Sequence, residues 1–159
     1  MTSSRNDRFE SAARELGFDL AEPIRLGGNY TPAIVHGGIA HVSGQVPRIG
    51  STVAVTGRVG GEVDLAESQR AARICAVRTL AILRTALGGL DAVDQLLRVT
   101  VYIQSSADFT QHSEVADAAS ALLHEVLGDA GRHARTSVGV AQLPKNAAVE
   151  LELSAAVRA

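Results

Sequence analysis

Cysteine occurs once, as Cys75, so no disulfide can form within the chain. Stability must then come from packing, and a lone thiol fits a reducing compartment. Tryptophan is absent and aromatic residues make up only 3% of the chain. The core has to be built from Ala, Val, Leu and Ile. A large excess of either charge is also missing. The formal net charge is -2, and no basic stripe interleaved with aromatics offers a nucleic acid a surface, so a nucleic-acid partner is not expected. No apolar run is long enough to span a bilayer. Residues 1–7 are polar and hold no apolar signal core. A cytoplasmic protein with no membrane association is the expectation. The five histidines, His36, His41, His112, His124 and His133, fall at no paired zinc spacing, and one cysteine adds nothing to them. No metal is expected. Gly27-Gly28 and Gly60-Gly61 do not open a helix after a strand, which argues against a phosphate loop.

What is present is enough chain, 159 residues, for one domain with a real core. Residues 1–20 read as an N-terminal helical extension and 21–159 as a single domain. Phe9, Ala12, Ala13 and Leu16 recur at helical spacing over 7–16, and Gly17 ends that helix. Residues 24–26 read as a short strand. Residues 33–36 and 39–46 read as a hairpin turned by Gly37-Gly38, and 47–62 as a loop. Asp64 and Glu67 form a capping box for a helix that runs to Leu87 and stops at Gly88-Gly89. The arginines on that helix, Arg70, Arg73, Arg78 and Arg84, read as its solvated face. Residues 96–104 alternate as a strand, and 110–127 form a second helix. The order β-β-β-α-β-α-β-β predicts an α+β fold: a mixed sheet with two long helices on one face and the other face open.

The segment 135–152 carries the most chemical information. It reads as a closing hairpin turned at Leu143–Asn146. Val138, Val140, Val149 and Leu151 would form one face, and Arg135, Ser137, Gly139, Glu150 and Glu152 the other. An arginine fork beside a hydroxyl and carboxylates has the ingredients of an anion site. Taken alone, Arg135 reads more readily as a surface arginine or one paired with an interface carboxylate, and Glu150 equally as a solvated or interface glutamate. In such a hairpin the two stand roughly 13 Å apart along the strands. They would meet through a bulge or through different subunits. Ser137 has no histidine–acid pair at a recognisable spacing, which argues against a serine hydrolase.

Arg135-Thr136-Ser137-Val138, Leu143-Pro144 and Val149-Glu150-Leu151-Glu152 resemble the C-terminal signature of the RidA family, also called YjgF/YER057c/UK114. Gly28-Asn29-Tyr30, Val42-Ser43-Gly44-Gln45-Val46-Pro47, Asp108-Phe109 and the run 128–135 extend the resemblance over roughly residues 24–158. It implies a chorismate-mutase-like fold and a homotrimer with clefts between subunits. The implied activity is hydrolysis of enamine or imine intermediates of the 2-aminoacrylate type to 2-keto acids and ammonia, with water as co-substrate and no cofactor. Arg135 would clamp the substrate carboxylate, and Glu150 would orient or activate the water. Tyr30, Ser43, Gly44, Phe109, Asp117 and Ser137 would line the substrate site. Two residues depart from the pattern. Ser137 stands where many members have cysteine, and Asp117 where many have asparagine. An aspartate there would repel a carboxylate unless protonated or turned away. Two other functions stay open: a trimer that binds a small carboxylate without turnover, and an endoribonuclease-type activity, a label some members carry.

Overall fold

The structure, a computed structural model, describes residues 3–159. Met1 and Thr2 of the predicted N-terminal extension lie outside the described residues. Helix α1 (Arg5–Glu15) is followed by strands β1 (Ala33–His36), β2 (Ile39–Gln45), β3 (Arg48–Ile49) and β4 (Thr52–Val53). Then come α2 (Leu65–Leu87), β5 (Val93–Gln104), α3 (His112–Leu127), β6 (Ala134–Val140) and β7 (Val149–Val157). Five strands form one sheet in the order β1-β2-β7-β5-β6, and β3 pairs with β4 in a small ribbon. The ribbon occupies part of the segment expected to be loop. Residues 24–26 belong to no strand of either sheet, so the expected strand there is absent.

Helix starts follow local chemistry. Ser4 caps α1 in a complete capping box with Asp7. At α2 only half of the predicted box forms. The Glu67 amide donates to Asp64 Oδ1 at 2.8 Å, but the Glu67 carboxylate accepts from Arg70 instead. Gly88 ends α2 at φ 76°, a left-handed conformation that costs glycine little. The buried side of α2 is rich in small residues, among them Ala71, Ala72, Cys75 and Ala76, which lets the helix settle against β7 and β2. Helix α3 packs beside α2 and reaches β6, while α1 lies against both helices with Phe9, Ala12 and Ala13 buried. The Cys75 thiol faces the Val149 carbonyl, and burial pushes its pKa strongly upward.

The closing segment differs from the expected hairpin. β6 and β7 are not neighbours, because β5 lies between them, parallel to β6 and antiparallel to β7. Residues 141–148 carry the chain past the end of β5, fastened by Gln104. Its Oε1 accepts from the Leu143 amide at 2.8 Å and its Nε2 donates to Asn146 Oδ1 at 2.7 Å.

This topology reassigns the faces. Paired residues share a face, and Arg135 pairs with Val99, Ser137 with Val101 and Gly139 with Ile103, all on the helix side. Glu150 pairs with Tyr102 and Glu152 with Thr100 on the open side. Val138, paired with Tyr102, is on the open side too. The sheet therefore stands between Arg135 and Glu150.

Gly131, just after α3, has no room for a side chain. A Cβ there would lie 2.9 Å from both the Leu123 carbonyl carbon and the His124 Cα, so backbone would have to move. Gly131→Ala is expected to cost about 1–3 kcal/mol by overpacking. It should appear as a lower urea midpoint at unchanged slope. An unchanged midpoint would mean that the end of α3 yields freely.

Candidate functional site

A cleft of ≈ 290 Å³ opens where the end of β2 meets the start of β7. Glu150, Ser43, Gly44, Gln45 and Tyr30 line it, together with Arg48, Arg78 and Lys145. Its shape comes from an irregularity in β2. Between Val42 and Gln45 the register with β7 shifts, and this bulge brings Gly44 against the Glu150 side chain. A Cβ on residue 44 would fall onto Glu150 Oε1 and 3.0 Å from its Cδ. Glycine is therefore what lets the carboxyl lie over the main chain, and what leaves that main chain open to a ligand.

Burial pushes the Glu150 carboxyl above its ordinary range, and the negative charge of Glu152 adds to the effect. Glu152 is held by Tyr102, whose hydroxyl donates to Oε1 at 2.8 Å. That hydrogen bond, with burial and the two glutamate charges, raises the Tyr102 phenol. A carboxyl tuned upward in this way can exchange protons nearer neutral pH than a free glutamate.

Two arginines shape the rest of the cleft. Arg78 is 2% exposed, so its reading as solvated surface is overturned. It donates to Gln45 Oε1, to the Arg48 carbonyl at 3.1 Å and to the Arg25 carbonyl at 2.6 Å. It is a buried cation satisfied by neutral oxygens, and it ties the segment at Arg25 and strand β3 to β2. Burial lowers its pKa. Arg84, also read as solvated, accepts no such role but pairs with Glu10 at 2.8 Å and lies over the Phe9 ring. Arg48 Nε is shut off from solvent with no hydrogen-bond partner. A buried donor left unpaired costs about 1–3 kcal/mol.

Arg135 lies elsewhere, against α3. Its Nη1 donates to Asp117 Oδ1 at 2.8 Å and to Ser120 Oγ at 3.1 Å. Ser120 in turn faces His133 Nε2 at 2.9 Å, and His133 Nδ1 is 2.7 Å from the Gly131 carbonyl. A carbonyl only accepts, so Nδ1 carries the proton and, in the neutral ring, Nε2 accepts from Ser120. Burial lowers the His133 pKa, which favours that neutral form. Arg135 is thus oriented by a relay of hydrogen bonds, with Asp117 turned onto its guanidinium and still largely exposed.

Further along the same face, Gly139 leaves space for Ser105 Oγ and His112 Nε2, which lie 3.2 Å apart. Phe109 meets the His112 ring edge-on there, with centroids 5.2 Å apart. Phe109 and Ser137 therefore belong with the Arg135 side of the sheet, not with the Glu150 cleft. Of the eight sequence-predicted residues, Tyr30, Ser43, Gly44 and Glu150 come together in one cleft. Arg135 and Asp117 form a pair outside it. Sequence reasoning missed Arg48 and Arg78. The signal for Arg78 was its spacing, three residues after Cys75 on the buried stripe of α2. Among the described residues, no three His, Cys, Asp or Glu side chains converge as a metal would need. No described helix is long and apolar enough to cross a membrane.

Comparison with known proteins places this geometry in context. Residues 10–157 match the family model described as "YjgF/chorismate mutase-like, putative endoribonuclease". The chain is 39% identical over 153 residues to protein TCP17 of Trypanosoma cruzi, covering 96% of both chains. It resembles the crystal structure of Atu1372 from Agrobacterium tumefaciens, with 40% identity and a TM-score of 0.87 over 98% of this chain and 96% of that one. A Shewanella oneidensis structure described as a "putative endoribonuclease" is 29% identical, with a TM-score of 0.85 over 94% of this chain and 99% of that one.

Proposed function

Because the chain belongs to the YjgF/chorismate-mutase-like family, we propose that it hydrolyses enamine or imine derivatives of amino acids, of the 2-aminoacrylate type, to 2-keto acids and ammonia. The observation that carries this reading is the Glu150 carboxyl, held over Gly44 in a cleft and pushed upward by burial. In its ionised form Glu150 takes a proton from water as the oxygen attacks the imine carbon. It then returns that proton to nitrogen, giving a carbinolamine. A second proton passes from the new hydroxyl through Glu150 to nitrogen, the C–N bond breaks, and ammonia leaves as the carbonyl forms. An enamine first takes a proton on carbon to become the imine. Gly44 offers its backbone to the substrate carboxylate, and Tyr30 and Ser43 wall the cleft.

The clamp for that carboxylate is Arg135 of a neighbouring subunit in a homotrimer. Within one chain the sheet separates Arg135 from Glu150, so only docking of another copy completes the site. The open sheet face suits such docking: Ile34 is 53% exposed and Val138 39%. Asp117, Ser137 and Phe109 enter the cleft with Arg135. The test is a coupled assay in which an amino-acid oxidase generates imines from a panel of amino acids. Faster keto-acid formation with this protein present supports the reading. No acceleration for any side chain defeats it.

Arg135→Lys keeps the charge but loses the planar fork. Loss of one charge-assisted hydrogen bond, about 1.5–3 kcal/mol, is expected to weaken 2-ketobutyrate binding roughly 10–150-fold. Titration calorimetry measures it, and light scattering checks that the assembly is retained. Equal affinity in the variant would remove the clamp role.

One observation favours a second reading, a trimer that binds a carboxylate without turnover. Asp117 already occupies Arg135 at 2.8 Å, and an incoming carboxylate must displace it. Ligand binding without acceleration in the oxidase assay would select this alternative.

A further inference from the structure

The Glu150 cleft contains more positive charge than a single carboxylate needs. Arg48, Arg78 and Lys145 line it against one acid, Glu150. Among the described residues none of these three cations has a carboxylate within ion-pair distance. Arg78 spends its donors on carbonyl and amide oxygens and contributes only its field. Arg48 is different. Its backbone carbonyl is held by Arg78, so the strand β3 that carries it is anchored. Its guanidinium lies beside Gly27 at the cleft wall, and its buried Nε has no acceptor. Nε is sealed from solvent, so the Nη groups beside Gly27 are the ones an anion in the cleft would meet, and a partly desolvated guanidinium without a carboxylate partner gains from such an acceptor.

We infer that Arg48 reads a second acidic group, and that the preferred ligands of this cleft are dicarboxylic: 2-keto acids, and the imines that yield them, whose side chain ends in a carboxylate. The inference rests on the proposed function for the first carboxylate, which Arg135 and Gly44 would hold. A monocarboxylate would leave Arg48 unpaired. A side-chain carboxylate reaching from the reacting carbon toward β3 supplies its acceptor. Arg48 is then a specificity-determining residue and takes no part in the proton transfers at Glu150.

The test compares 2-ketoglutarate with 2-ketovalerate, which has the same chain length without the second carboxylate, by titration calorimetry on the full-length protein. The wild type is expected to bind the dicarboxylate roughly 10–150-fold more tightly, the value of one charge-assisted hydrogen bond. In Arg48→Gln that ratio should fall to near one, and Arg48→Lys should keep part of it. Equal affinity of the wild type for both acids overturns the inference and leaves the carboxylate cleft intact. A preference that survives in Arg48→Gln also overturns it, assigning the selectivity to another cation. If the wild type binds neither acid, the proposed function falls and this inference with it. The wild-type comparison needs no variant, so a misfolded Arg48→Gln cannot shield the idea.

Discussion

Glu150→Gln is expected to slow imine hydrolysis about 10²–10⁴-fold, the usual contribution of a positioned general base, while binding of a 2-keto acid changes little. Gln keeps the shape over Gly44 but has no basic oxygen. The pH profile sharpens the test. Burial raises the Glu150 pKa above the ordinary carboxylate range, so the ionised form prevails only at a higher pH than for a free glutamate. Activity should fall toward acid with a midpoint above the ordinary carboxylate range, and the residual activity of the variant should lack that limb. Stability moves the other way. A carboxyl whose folded pKa is raised binds its proton more tightly in the native state. Its contribution is therefore full below the unfolded value and is lost as pH rises through the folded one. Assembly gives a further check. Mixed trimers of Glu150→Gln and Arg135→Lys chains contain clefts with one intact residue from each parent, and should regain part of the wild-type rate. Absence of recovery in verified mixed trimers would mean that Arg135 and Glu150 do not share a cleft.

Arg78→Met is expected to be the most destabilising single change near the site. Methionine fills similar apolar volume, but the Gln45 side chain and the Arg25 and Arg48 carbonyls lose their donor. The buried Gln45 acceptor left unpaired costs about 1–3 kcal/mol, and the two part-buried carbonyls add less each. Relief of the arginine's own desolvation offsets part of that, leaving roughly 3 kcal/mol. For a domain of this size that is a fall of about 6–12 °C in Tm. Because Arg78 holds the segments that wall the cleft, ligand affinity should fall with it. A variant with unchanged Tm would show that those segments are held by other contacts, and that Arg78 is kept for its charge.

Much of this molecule was legible residue by residue. The α2 cap at Asp64, its stop at Gly88, the Gly37-Gly38 hairpin and the alternation of β5 are consequences of local chemistry, and each lies where the pattern placed it. The α+β class and the helices gathered on one face followed from the order and periodicity of the elements. The family also followed, from short motifs whose order spans most of the chain. What local chemistry cannot express is which strands are neighbours. An alternating strand, a turn and a second alternating strand look alike whether the two pair directly or admit a third strand between them. Here β5 enters, β6 joins it in parallel, and the register turns Arg135 and Ser137 toward α3 while Glu150 looks out from the open face. The same limit hid Arg78. A charged side chain on a helix reads as solvated until packing surrounds it with carbonyl oxygens from Arg25 and Arg48, residues remote in sequence. Side-chain type and spacing set the elements and the chemistry available; strand pairing and long-range packing decided which of those groups share a cleft, because contacts between distant segments leave no periodic trace in either one.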